Sequence, residues 1–326
     1  MRHDRIVWSA RVDADLASGP IACGRGALVG TVTGHVLLLG AGRGEEVWRT
    51  RVGPAITVRP GVLDDRALVL DAISGMHVLD LAAGGVVRTV RMPDGDVVDR
   101  IAPFGTLVGV ATRAGIVALL ERETLRLVSR TRVPGSPAAA PIVVGDHAVV
   151  ALAASGLHAV RTKDGRTAWA RAIAGGVNGA PVHVRTPKGA DLVVAAGAAA
   201  GVVAVDAATG QEVWRHREAG APIGLAAPEG RLLAVFESRR LVELDPERGG
   251  ARRGVELAGV PSFAPAVAPG GVLVARANGI LEQFDSDLRR GDRIELRGEL
   301  AGPPVVSGST AYVGLKRRLV YRVRLD

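Results

Sequence analysis

The feature that most constrains this chain is a strand-turn-strand unit that returns at one spacing from end to end. Its clearest copy is Gly201-Val-Val-Ala-Val-Asp206-Ala-Ala-Thr209-Gly210-Gln-Glu-Val-Trp214. Val202, Val203 and Val205 make a β-branched run that reads as a strand, and the run stops at Asp206. The Asp side chain accepts backbone N–H groups two or three residues on, Thr209 adds its hydroxyl, and Gly210 tolerates the positive φ that closes such a turn. The next strand then runs back antiparallel, with Trp214 on its buried face.

The Trp-bearing strand recurs along the chain. Its anchor positions read as Trp8, Trp48, Val87, Val128, Trp169, Trp214, Arg253 and Ile294. They lie roughly 40 residues apart, the repeat length of one four-stranded propeller blade. Within the best copy, Ala204, Asp206, Thr209, Gly210 and Trp214 match the A-x-D-x-x-T-G-x-x-x-W repeat residue by residue. The chain therefore resembles the PQQ-type β-propellers, the quinoprotein-dehydrogenase-like superfamily.

This reading gives an all-β chain: a single eight-bladed β-propeller of four-stranded antiparallel blades spanning residues 1–326. A closed set of blades is one architecture that remains a single domain at such a length. Inner strands are placed in every blade, including 55–60 in blade 2 and 97–102 in blade 3. The last blade, 302–325, is one strand short, and residues 6–12 are expected to complete it. Closure of this kind hides both terminal edges.

Composition narrows function more than it defines it. The net charge is +8, and since Lys163, Lys188 and Lys316 are the only lysines, the basic charge is almost all Arg. Such a balance speaks to association with polyanions or acidic partners and not to fold. Cys23 is the only cysteine, so no internal disulfide framework exists. Residues Met1 to Trp8 lead straight into the first repeat without the apolar core of a secretory signal, and no stretch reaches the length of a membrane-spanning helix. A cytoplasmic protein is expected on these grounds.

The resemblance implies a further test, because the quinoprotein enzymes hold their cofactor beneath two adjacent, disulfide-bonded cysteines, over a Trp and beside a calcium ion. One cysteine cannot supply that pair. His3, His35, His77, His147, His158, His183 and His216 form no metal-ligand spacing. Gly24-Arg-Gly26-Ala-Leu-Val-Gly30 misses the dinucleotide spacing and lacks a following helix, and no G-x-S-x-G elbow is present. The four tryptophans recur at blade period, which points to packing between blades. No cofactor, no metal and no catalytic residue are expected.

Two surface features remain. The B–C turns of blades 6, 7 and 8 carry Arg239 and Arg240, Arg276, and Lys316, Arg317 and Arg318, whereas those of blades 1, 2, 4 and 5 are uncharged. This set is the candidate partner-binding patch, for acidic protein segments or, as the alternative, a nucleic-acid or other polyanion backbone. The D–A loops on the same face place Asp99, Arg100, Asn178 and Ser262 as the polar groups nearest the channel mouth, a candidate small-ligand or enzymatic site. Short loops favour a rigid platform over a lidded site. The family resembled includes an outer-membrane assembly lipoprotein that acts by docking, which implies a non-catalytic scaffold for protein–protein interactions in a bacterial complex.

Overall fold

The computed structural model describes residues 5–92 and 96–325. Among them lie eight four-stranded antiparallel sheets, seven with their strands A-B-C-D in sequence order and the eighth completed by the N-terminal strand, the blades of an eight-bladed β-propeller. Blades 1 to 7 occupy residues 21–51, 61–91, 102–132, 142–172, 182–216, 222–256 and 266–295. Blade 8 takes Val305–Ser307, Thr310–Leu315 and Leu319–Arg324 as strands A to C, and Ile6–Arg11 as strand D. The N-terminal strand pairs Trp8 with Arg322, Ser9 with Tyr321 and Arg11 with Leu319, as the incomplete last repeat predicted. By packing, the chain forms two compact units of four blades each: Met1–Met92 with Ala266–Asp326, and Pro93–Pro265.

Blade 5 shows why the inner strands lack polar alternation. Val203 and Val205 pack into a cluster with blade 4, while Val202 and Ala204 pack into one with blade 6. Both faces of strand C are covered, so neither tolerates a polar side chain. The outer strand, Glu212–His216, has one buried face and alternates accordingly, with Trp214 buried and Val213 half exposed.

The turn of the repeat has the geometry its residues require. Asp206 Oδ1 accepts the N–H of Thr209 at 2.8 Å and of Ala208 at 3.2 Å, together with the Thr209 hydroxyl at 2.7 Å. Gly210, at φ 69°, donates its N–H to the Asp206 carbonyl. The turn also serves the preceding blade: Trp169 Nε1 donates to the Ala207 carbonyl at 3.1 Å, and its ring lies so close that a Cβ on Gly210 would meet it at 2.5 Å. Trp8 with Ala41, Trp48 with Leu81 and Trp214 with Pro246 repeat the contact, each with the ring on the turn glycine, Gly44, Gly84 or Gly249. Turn and tryptophan are therefore two halves of one clip between neighbouring blades.

Three details differ from the sequence reading. In blades 2 and 3 the A strands are Gly61–Leu63 and Ala102–Phe104, not 55–60 and 97–102. Two-residue hairpins pair Leu63 with Arg66 and Phe104 with Leu107, which puts the residues just before the turn on the ladder, while Ile56 and Val97 each make only a single bridge. The anchors of blades 2 and 3 are Arg88 and Ser129, one residue beyond Val87 and Val128. A bulge skips the residue before each anchor, so Val87 and Val128 point to solvent, as do Val47 and Val213. In blade 7, Ile294 pairs with Leu281, two rungs beyond the position taken by the tryptophans.

Candidate docking surface

Each B–C turn shares its edge of the blade with the end of strand D. Val12, Val52 and Met92, the residues that follow the outer strands of blades 8, 1 and 2, donate their N–H groups to Arg318, Gly34 and Ser74 in the B–C turns. In blade 6, Leu257 donates to Arg239 in the same way. A side chain on a B–C turn therefore stands beside the last residues of its own outer strand.

Within the unit that holds blades 3 to 6, Arg239 Nη2 pairs with Glu256 at 3.0 Å. Arg240 lies across Gly254 of the outer strand, with its Nε buried. Within the other unit, Lys316 pairs with Glu299 and Arg318 with Asp15. Arg276 differs from its placement as turn charge. Its side chain is 13% exposed and binds Glu282, itself 2% exposed, at 2.6 Å. A carboxylate buried in strand C needs a cation, and Arg276 supplies it inside the blade. Arg317 alone of the six is exposed with no ion pair among the described residues. Four of the six cations are paired with carboxylates, from six residues away for Glu282 to 303 for Asp15.

The four residues expected at the channel mouth all belong to the unit of blades 3 to 6. Asp99, at φ 62°, accepts Arg100 Nη1 at 2.6 Å and the N–H of Ala140, ahead of blade 4, at 3.4 Å. Asn178 donates its side-chain N–H to the Pro222 carbonyl of blade 6 at 3.3 Å. Ser262 is exposed on the segment leaving blade 6. Asp99 and Asn178 thus turn to different blades and hold neighbours together. A hollow of about 410 Å³ lies elsewhere in this unit, at the A–B turns of blades 3 and 4, lined by Phe104, Leu107, Val143 and Thr162.

The whole repeat pattern is matched by one family model, described as outer membrane protein assembly factor BamB, over residues 2–195 and 198–320. The chain belongs to the BamB family. No curated protein sequence matches it. BamB of Moraxella catarrhalis is similar in structure at a TM-score of 0.79 with 17% identity, covering 98% of this chain and 99% of that one. The computationally designed protein Ika8 gives 0.85 at 12% identity over 98% and 100% of the two chains, and Sqt1 of Saccharomyces cerevisiae gives 0.82 at 8% over 99% of each. At these identities the likeness is one of fold. Ika8, a designed chain, shares it as fully as BamB does.

The electrostatics of this BamB-family chain are dominated by local pairs. Burial opposes ionisation of Asp71 most strongly, yet hydrogen bonds from His77, Gly75 and Ile73 outweigh it and hold the carboxyl below its usual range. The Arg215 guanidinium holds Glu212 low, and burial pushes His158 down. Among the described residues no group of three or more His, Cys, Asp and Glu is placed to hold a metal ion, and no helix is long and apolar enough to cross a membrane.

Besides Arg317, three exposed cations without an ion pair among the described residues were not singled out from the sequence. Arg11, Arg51 and Arg91 end the outer strands of blades 8, 1 and 2, and no ion pair engages them among the described residues. Their signal was available: each stands three residues past its anchor, Trp8, Trp48 or Arg88.

Proposed function

We propose that this protein is a non-catalytic scaffold that docks partner proteins within a bacterial complex. The observation that carries the reading is the use of the polar groups at the candidate channel mouth: Asp99 and Asn178 are engaged in hydrogen bonds to neighbouring blades instead of converging on a shared point. Membership of the BamB family supports it, since propellers of this kind often mediate protein interactions. A–B and B–C turns of two to five residues and a shell of clipped blades make a rigid surface, which binds with little loss of conformational entropy.

The test is capture with the tagged full chain from its host under mild crosslinking, followed by purification of the captured protein and reassembly. A defined-stoichiometry complex on size-exclusion chromatography is expected. Failure of every purified candidate to reassemble, together with turnover in a hydrolase and dehydrogenase substrate panel, would overturn the scaffold reading.

A further inference from the structure

We infer that the B–C edge of blades 8, 1 and 2 is a docking surface for an acidic segment of a partner protein, with aliphatic residues set between its carboxylates. The inference rests on the scaffold reading and names the chemistry of one partner.

Three consecutive blades of one unit repeat the same arrangement. Shared clusters join blade 8 to blade 1 and blade 1 to blade 2. In each blade the outer strand ends on an exposed Arg beside the B–C turn: Arg11 opposite Leu319, Arg51 opposite His35 and Arg91 opposite Gly75. Arg317 adds a fourth cation on the turn of blade 8. Carboxylates near Arg11 and on the neighbouring turns are already engaged: Asp13 by Arg49, Asp15 by Arg318, Glu299 by Lys316 and Asp71 by His77. Among the described residues no ion pair engages Arg11, Arg51 or Arg91, so exposed cations stand on this edge at blade intervals.

On blades 1 and 2 the turn beside the cation exposes an aliphatic side chain, whereas the turn of blade 8 is Lys316-Arg317-Arg318. Val32 on blade 1 is 48% exposed, and Ile73 on blade 2, at 68%, is the most exposed large apolar side chain among the described residues. This mixture discriminates among anionic partners. A phosphate backbone would pair with the guanidinium groups but give Ile73 and Val32 nothing to bury against. A bilayer surface is ordinarily met with Trp or Tyr at the headgroup level, and all four tryptophans here are buried between blades. A peptide with Asp or Glu spaced by aliphatic residues satisfies both features, since Arg forks bind carboxylates in two-pronged pairs and the aliphatic side chains cover the turn tips.

The experiment uses the full chain and a fluorescein-labelled peptide in which glutamate alternates with leucine and glycine, read by fluorescence anisotropy. Replacing Arg11, Arg51 and Arg91 together by Gln is expected to weaken binding about tenfold, and Ile73→Ser about threefold. Arg132→Gln with Arg217→Gln, the equivalent changes in the other unit, leaves affinity unchanged. A single Arg51→Gln variant serves if the triple variant melts early. Equal affinity of parent and triple variant overturns the surface. So does a single-stranded DNA oligonucleotide that binds as tightly as the peptide and ignores Ile73→Ser, or flotation with phosphatidylglycerol vesicles in the absence of peptide binding. If the reassembled complex survives the triple substitution, this surface is refuted while the scaffold reading stands. If no complex reassembles at all, the scaffold reading fails first.

Discussion

At the residue scale, the contact between a turn glycine and the tryptophan of the preceding blade carries the most structural information. Gly210 needs its missing Cβ twice, once for φ 69° and once for the ring of Trp169. Gly230 has a similar φ of 75° with nothing near its absent Cβ. Gly210→Ala is thus expected to cost about 2 kcal/mol or more, and Gly230→Ala about 1 kcal/mol, by thermal unfolding. Equal costs would show that the ring contact contributes nothing. Asp71 offers a second test. Its pKa is depressed in the folded chain, so the stability it contributes is complete above the unfolded value of about 3.9 and disappears as pH falls through the folded one. Asp71→Asn is expected to lower the melting temperature near neutral pH and to flatten its fall below about pH 4, and parallel curves for variant and parent would contradict this.

At the element scale, the outer strand decides how blades meet. Its bulge presents two consecutive residues outward, so the apolar Val87 and Val128 marked a strand correctly but not the residue facing the core. The N-terminal strand is the special case, because it arrives from the far end of the chain. Trp8 donates to the Ala41 carbonyl at 3.1 Å and stacks at a tilt on Tyr312, with 5.9 Å between ring centroids, while Arg322 lies over the other ring at 5.8 Å. Trp8→Ala is expected to cost about 3–5 kcal/mol, as for other buried tryptophans. Deletion through Val12 removes the whole ladder to Leu319–Arg324 as well and is expected to lower thermal stability further. A deletion variant that melts with the parent chain would refute closure by this strand.

At the scale of the whole molecule, closure in blade 8 depends on which strands are present and not on where the chain is cut. A circular permutant that starts at Asp13 and joins Asp326 to Met1 through a short flexible linker keeps all four strands of that blade. Its melting temperature is expected to stay within a few degrees of the parent's, in contrast to the deletion, because hairpin closure over a short linker costs little. A permutant as unstable as the deletion would mean that the peptide link after Val12, and not the strand, holds blades 8 and 1 together.

The sequence alone determined the number of blades, the period and the identity of the completing strand. Those follow from local chemistry: β-branched runs, an Asp-to-Gly turn and a tryptophan at fixed offsets, repeated often enough to align. Tertiary structure decided the charge. Arg276 reads as a surface cation until Glu282 is seen beneath it, and Lys316 and Arg318 until Glu299 and Asp15 are found beside them. Arg11 reads as an ordinary strand end until Asp13 proves to be held by Arg49 and Asp15 by Arg318. Backbone hydrogen bonds and apolar periodicity act between near neighbours in sequence, whereas the field at a surface sums over groups that only the fold brings together.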